Sequence, residues 1–477
     1  MSGGICSLPV ELIRYITDDL PFSDILTLRL TCRTLRAKAT DRRFEQRFTS
    51  PTCDMSPRSL ARLAAIAASP IGHLVRAITL VTTLLDGGGD RQRPSEDAIG
   101  RDDSSSASDA EDAAVHEVFP DHHRAAREAG EELRASGRDL ELLCAAFGAL
   151  GKLERLALDA VGLRSWETPP GRKARLRASG ATMGRARRPP AGGHPIDDYG
   201  CGDRDDLRMM ANHDFAIVLK AMVRTKIAIE SISAYSRAWG CSLLATELRE
   251  LIQTMPKAEL ETALSCVTSL TVSITGIGLL TWGKFAKKEP RPPVDGALEG
   301  FEQLLAAAGR LRNVDILRVK PNIRVVDEGE EQDFSAFARR VAASSLRSLT
   351  LRGFRIRTDD LVNLLQRCDK LEEVEFREAS IVEGQWSQVF QCLGTMAQLR
   401  QVTLFRCYED RLILITRPAG AEIDEMPANL GCECTRTTRM TPSQIRDGVE
   451  YHQQMVSWKC RPWDYYYRLA RVRVYSF

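Results

Sequence analysis

Residues 346–352 read Leu346-Arg347-Ser348-Leu349-Thr350-Leu351-Arg352, and 25 residues on the chain reads Leu371-Glu372-Glu373-Val374-Glu375-Phe376-Arg377. Both place apolar residues at the first, fourth and sixth positions. Side chains alternate along a strand, so the fourth and sixth positions point to one face. Between the two copies, Asp360-Leu361-Val362-Asn363-Leu364-Leu365-Gln366-Arg367 carries leucines at helical spacing, as a helix covering that face would. Outward from this unit the pattern recurs as Val75-Ile78-Leu80, Leu153-Leu156-Leu158, Ile229-Ile232-Ala234, Val267-Leu270-Val272, Leu311-Val314-Ile316 and Leu399-Val402-Leu404, eight copies whose starts lie 78, 76, 38, 44, 35, 25 and 28 residues apart. One strand and one helix cannot bury their own apolar face, but units stacked in series can. A doubly wound sheet also alternates strand and helix, but eight copies of one spacing favour the stacked array.

The array resembles leucine-rich repeats, and the resemblance implies a curved solenoid with parallel strands on its concave side. The Asn or Cys ladder position of that family does not recur, so the solenoid is read as irregular. Three segments interrupt it. Asp86 to Asp112 holds nine acids against three arginines with Gly87-Gly88-Gly89 and Ser104-Ser105-Ser106, too polar to bury a core. Thr168 to Gly202 is basic, with no acid from Gly171 to Ile196, and Lys284 to Gly296 is rich in Lys and Pro. The expected organisation is mixed α/β: a helical module over 1–50, a leucine-rich-repeat-like solenoid over 51–408 with disordered insertions at about 86–130, 168–205 and 284–296, and a C-terminal cap over 409–477.

The N-terminal module carries its own signature. Pro9 follows Ser7 near a first helical turn, and Ser23 and Thr31 stand where a second and a third helix would be capped. Leu12, Ile13, Ile16 and Leu20 share a helical face, and Ile25, Leu26, Leu28, Leu30 and Leu35 extend the apolar surface. A unit of some forty residues cannot enclose that much aliphatic surface, so part of it must meet a partner. Leu8-Pro9, Glu11-Leu12, Ile16, Leu20-Pro21, Asp24-Ile25-Leu26, Leu28, Leu30, Cys32-Arg33 and Leu35-Arg36 resemble the F-box, most closely that of filamentous fungi. Leu35 stands where many members carry Trp. The resemblance implies a three-helix motif that docks a Skp-type adaptor, and through it a cullin-RING ubiquitin ligase, by way of Leu8, Pro9, Leu12, Ile16, Leu20, Pro21, Ile25, Leu26, Leu28, Leu30, Cys32 and Leu35. It further implies that the remaining chain captures a protein substrate and that the chain is a non-catalytic subunit needing no cofactor. A repeat scaffold that binds the adaptor without directing ubiquitylation is the alternative.

The residues of each strand that point away from the helices are the fifth and seventh of each copy; from the second copy onward, leaving out the weaker copy at Ile229, they are Ala157, Thr271, Asp315, Thr350, Glu375 and Thr403, and Asp159, Ser273, Leu317, Arg352, Arg377 and Phe405. Arg352, Arg377 and Phe405 would lie side by side on neighbouring strands, two guanidinium forks and an aromatic anchor suited to an acidic or phosphorylated segment of the substrate.

Other functions find less support. Lys plus Arg number 66 against 64 Asp plus Glu, so no overall field recruits nucleic acid or an anionic membrane. The charged first twenty residues do not read as a secretory signal, so the chain is expected in the cytoplasm, the nucleus or both; the basic run Arg172 to Arg188 fits either a nuclear signal or a solvated loop. The uncharged run Thr262 to Gly283 alternates like a strand rather than a membrane span. Gly278 to Lys284 matches the first seven positions of a P-loop, but Phe285 stands where Ser or Thr would hold magnesium. Cys432, Cys434, His452 and Cys460 are donors of the right chemistry for zinc but lack its usual spacing, and Asp121-His122-His123 adjoins the acidic segment. Thirteen cysteines without regular spacing read as reduced thiols, most of them small buried hydrophobes.

Overall fold

A computed structural model describes residues 5–20, 22–40, 42–85, 119–163, 201–236, 241–275, 298–318, 330–341, 343–409, 411–417, 422–424 and 437–454. Outside them lie Pro21, the basic run 172–188, the P-loop-like stretch from Gly278, the insertion 284–296, and Cys432, Cys434 and Cys460.

The chain opens with four short helices, α1 (Val10–Asp19), α2 (Phe22–Thr31), α3 (Arg33–Lys38) and α4 (Arg42–Thr49), where three were expected. The third is capped by Cys32 rather than Thr31. Thr31 is still helical and its hydroxyl donates to Leu28 O at 2.7 Å, which leaves the Cys32 sulfur to accept from the Leu35 N–H at 3.4 Å.

The strands follow in chain order: β1 (Thr52–Asp54), β2 (Ala77–Leu85), β3 (Lys152–Leu163), β4 (Ala228–Ala234), β5 (Leu243–Leu244), β6 (Ser269–Thr275), β7 (Asn313–Arg318), β8 (Ser348–Arg352), β9 (Arg355–Arg357), β10 (Glu373–Arg377), β11 (Ser380–Glu383), β12 (Gln401–Phe405), β13 (Tyr408–Glu409), β14 (Arg411–Arg417), β15 (Glu422–Asp424), β16 (Thr437–Met440) and β17 (Glu450–Gln454). Twelve of them form one sheet in the order β1-β2-β3-β4-β6-β7-β8-β10-β12-β16-β15, with β5 beside β6. From β1 to β12 every pairing is parallel; β16 and β15 close that end antiparallel.

All eight sequence copies fall in this sheet, in register. Ile78, Leu156, Ile232, Leu270, Val314, Leu349, Val374 and Val402 are partners across successive strands. The next row, two residues on, runs Leu80, Leu158, Ala234, Val272, Ile316, Leu351, Phe376 and Leu404, and every apolar position of every copy is buried. At about 1.5–3 kcal/mol for each fully buried aliphatic side chain, these rows fix the register, because a slip of one residue would turn each row to the opposite face.

Helices cover the apolar face: α5 (Pro57–Ala67), α6 (Phe119–Ser136), α7 (Arg138–Leu150), α8 (Cys201–Thr225), α9 (Ala245–Gln253), α10 (Lys257–Leu264), α11 (Glu299–Ala307), α12 (Glu330–Arg340), α13 (Thr358–Gln366) and α14 (Trp386–Thr395), with the short α15 (Pro442–Arg446) packed on α14. Helix α6 begins inside the stretch 86–130 and α8 inside 168–205, both expected to lack structure; the residues by which these helices reach the core, Leu133 in α6 and Ala211, Phe215 and Val218 in α8, lie just beyond those bounds. The run from Thr262 is the end of α10 followed by β6, and among the described residues no helix is long and apolar enough to cross a membrane.

A second sheet, β17-β14-β13-β11-β9, runs beside the last repeats. The chain turns from one sheet to the other at Gly353, Glu378 and Arg406, the equivalent residues of three successive units, all with positive φ (76°, 52° and 49°). Gly353 N–H donates to Arg377 O at 2.8 Å and Glu378 N–H to Phe405 O at 2.7 Å, so the corners are themselves a ladder. A Cβ on Gly353 would lie 2.4 Å from Arg318 O, which is why glycine occupies that corner. Buried Glu409 ties the second sheet down by accepting from Trp386 N–H at 2.9 Å, the Tyr451 hydroxyl at 2.8 Å and Gln453 Nε2 at 3.3 Å.

Candidate partner-docking site

The N-terminal module keeps a very small core of its own. Ile13, Leu35 and Ala39 are buried, with Leu8, Leu28 and Cys32 packed around them. Lys38 holds the leading turn in place, its ammonium donating to Cys6 O at 2.8 Å and to Leu8 O at 2.6 Å. On the other side the Arg29 guanidinium lies 3.3 Å over the Phe44 ring, which also packs on Phe48 with ring centroids 4.9 Å apart. From α4 the chain joins the main sheet without a break: Arg76 N–H donates to Thr49 O and Thr79 N–H to Pro51 O, and β1 adds itself to β2.

With that core satisfied, Leu12, Tyr15, Leu26 and Leu30 are left exposed, Tyr15 at 73% and Leu30 at 87%. An aliphatic side chain that exposed gains nothing from the fold of its own chain, and a group of them on one small unit marks an interaction surface. Of the residues singled out in the sequence, Pro9, Leu12, Leu26 and Leu30 are exposed and Leu8, Ile16, Leu20, Leu28 and Cys32 half-buried. Ile25 and Leu35 are buried, so they shape the module and cannot be presented to a partner. Leu35, at the position where many F-boxes carry Trp, fills the internal core beside Ile13. Tyr15 is the residue that sequence reading missed, although its spacing of three from Leu12 places it on the same side of α1.

Residues 5–47 match the family model of the F-box domain. The match covers all of α1 to α3 and most of α4, so the exposed apolar residues belong to the matched segment. An F-box domain binds Skp-type adaptors within cullin-RING ligases and indicates a component of an SCF-type ubiquitin ligase. No curated protein matches the chain.

The outward face of the main sheet is a second candidate surface. Register places Arg352 beside Arg377 and Arg377 beside Phe405. Arg352 is ion-paired with Asp315 and Arg377 with Glu375, so each guanidinium already holds a carboxylate; the acids occupy fifth positions of the repeat, one row away. Burial raises the Asp315 carboxyl above its ordinary range, and Arg352 opposes that shift. Phe405 is buried and offers no exposed ring, a correction to its reading as an aromatic anchor. At the corner below, Arg406, itself buried, meets Glu378 at 3.3 Å.

A buried polar cluster lies where β2 and β4 end under α8. Thr82 Oγ1 donates to Asp214 Oδ2 at 2.6 Å and lies 3.3 Å from the Tyr235 hydroxyl, which donates to Ala211 O at 2.7 Å. Burial pushes the Asp214 carboxyl up to about 6. His213 Nε2 and Asp139 Oδ2 are 2.9 Å apart nearby. Among the described residues no group of three or more His, Cys, Asp or Glu is placed to hold a metal.

Proposed function

We propose that the chain is a substrate receptor of an SCF-type ubiquitin ligase, of the kind found in filamentous fungi. Its F-box docks a Skp-type adaptor through Leu12, Tyr15, Leu26 and Leu30, and an irregular leucine-rich-repeat-like solenoid captures the protein to be ubiquitylated. The observation that carries this reading is the exposure of those four side chains on a module whose own core is already filled. In such a role the chain performs no bond-making chemistry. It holds substrate lysines near the charged ubiquitin carrier of the partner subunits, and the gain comes from effective concentration. The cytoplasm and the nucleus are both compatible sites of action.

The outward face of the main sheet is the surface assigned here to substrate. Its rows are ion-paired rather than cationic, so an acidic substrate residue would have to displace Asp315 or Glu375 from its arginine. Selection by shape and by exchange of paired charges fits this face better than capture by free positive charge.

The test is co-precipitation of the full chain with a Skp-type adaptor and a cullin, comparing wild type with Leu26→Asp/Leu30→Asp. Both positions are exposed, so the double variant keeps its fold. Recovery of adaptor and cullin by wild type, with loss of both by the variant, supports the receptor. Recovery of adaptor without cullin supports the scaffold alternative, and recovery of neither refutes both readings.

A further inference from the structure

The described cysteines divide by chemistry. Cys53, Cys241, Cys368 and Cys407 are pushed up to about 12 by burial, and such thiols are inert at neutral pH. Cys6 and Cys32 differ in kind. Cys6 is exposed in the turn Ile5–Ser7 and Cys32 is half-buried ahead of α3; although 26 residues apart in sequence, their sulfurs are 3.5 Å apart. The contact is held from both sides. Lys38 pins the Cys6 turn through the Cys6 and Leu8 carbonyls, and Cys32 is seated by the Leu35 N–H and by its packing on Ile13, Leu35 and Ala39.

We propose that Cys6 and Cys32 are a redox-active pair that closes to a disulfide when the chain meets hydrogen peroxide, tying the leading turn of the module to the start of α3. Cys32 is the attacking thiol and Cys6 the resolving one. The hydrogen bond from Leu35 N–H lowers the Cys32 pKa and contact with Cys6 lowers it further, while the hydrogen bond to Cys32 raises that of Cys6. The Cys32 thiolate attacks one peroxide oxygen, forming the S–O bond and breaking the O–O bond; the departing hydroxide takes up the thiol proton as water, leaving a sulfenic acid. The Cys6 sulfur then attacks the Cys32 sulfur, the S–S bond forms, the S–O bond breaks, and the hydroxyl leaves with the Cys6 proton as a second water. Two electrons pass from the sulfur pair to the peroxide. In a reducing compartment thiols of the surrounding pool reopen the link, so the pair reports oxidant rather than serving as a permanent staple. The inference is independent of adaptor docking and stands whichever way that reading falls.

The test uses the reduced full chain exposed to a small excess of hydrogen peroxide, quenched with N-ethylmaleimide, digested with trypsin and mapped by mass spectrometry. The expected product joins the Cys6 peptide ending at Arg14 to the peptide Leu30–Arg33. In Cys6→Ser the sulfenic acid should be trapped by dimedone on Cys32, at least tenfold faster than on Cys6 in Cys32→Ser. Cys6 and Cys32 both remaining maleimide-labelled while other thiols of the chain oxidise would overturn the proposal, as would equal dimedone labelling of the two single variants. The wild-type map decides the pairing even where a variant fails to fold.

Discussion

Asp214 should make the stability of this chain rise as pH falls from about 6 to 4, the reverse of the usual behaviour of a carboxylate. Its side chain is buried beneath α8 with one short hydrogen bond from Thr82, and its carboxyl is raised from 3.8 to about 6. Burial is the main cause; Thr82, His213 and Arg134 act to lower the value and Asp139 to raise it. In the unfolded chain the group titrates near its ordinary value. Between the two values the native state therefore holds a proton that the unfolded state has lost, and by linkage stability declines as pH rises through that window. A displacement of that size corresponds to about 3 kcal/mol, at roughly 1.4 kcal/mol per pKa unit, fully felt above pH 6 and absent below about 4. Asp214→Asn removes the titration and keeps an acceptor for Thr82. Urea unfolding of wild type and variant at pH 4, 5, 6 and 7 should show the variant gaining about 3 kcal/mol on wild type between the lowest and the highest pH, the other carboxylates cancelling in the comparison. A difference between the two proteins that stays flat to within about 0.5 kcal/mol across that range would refute the reasoning, since it would mean that water reaches Asp214.

Leu30→Ala should leave helix content unchanged and weaken adaptor binding some thirtyfold by calorimetric titration, the loss of about 2 kcal/mol from an aliphatic side chain buried at the interface. Leu35→Ala should instead cost about 2–5 kcal/mol of module stability and show as rapid amide exchange across α1 to α3. Gly353→Ala forces a Cβ against the Arg318 carbonyl at a positive φ and should lower the unfolding midpoint by the equivalent of about 2 kcal/mol or more. Trp386→Ala removes a ring packed 5.2 Å from Phe376 and 6.0 Å from Phe390, with its N–H on Tyr408 O; a loss of about 4 kcal/mol and early protease sensitivity of β14 and β17 are the expected results.

The main sheet was legible because its signal is local and repeated: apolar residues at three fixed positions need no knowledge of the partner strand, and all eight copies took up the pairing their spacing implied. The second sheet was not, because β9, β11 and β13 are two to four residues long and no period can be read from so short a run. Helix α4 escaped for a different reason, Phe44 and Phe48 being its two apolar residues in an otherwise polar helix. On the outward face the alternation was read correctly, but the charge balance was not. Asp315 and Glu375 stood in the fifth-position row from the start, one step from Arg352 and Arg377, and the rule that half-buried charges find partners would have paired them. Phe405 belongs to the last parallel strand, whose far neighbour is the antiparallel β16, and nothing within the repeat itself announces that pairing. In the docking module the exposed leucines were foreseen as a group, but which of them turn inward is decided by the angle between α1 and α3, and a helical wheel drawn for one helix carries no such information.

The in-register row from Ile78 to Val402 has one more consequence. Ile78 and Leu156 are partners across 78 residues of chain, Leu349 and Val374 across 25, and the pairing is the same. Closing the longer connection costs only about 1 kcal/mol more than closing the shorter, since loop entropy grows with the logarithm of length. The length of a connection is thus uncoupled from the geometry of the strands it joins. The Ile78–Leu156 connection can therefore gain or lose length at little entropic cost while the strands it joins keep their alignment.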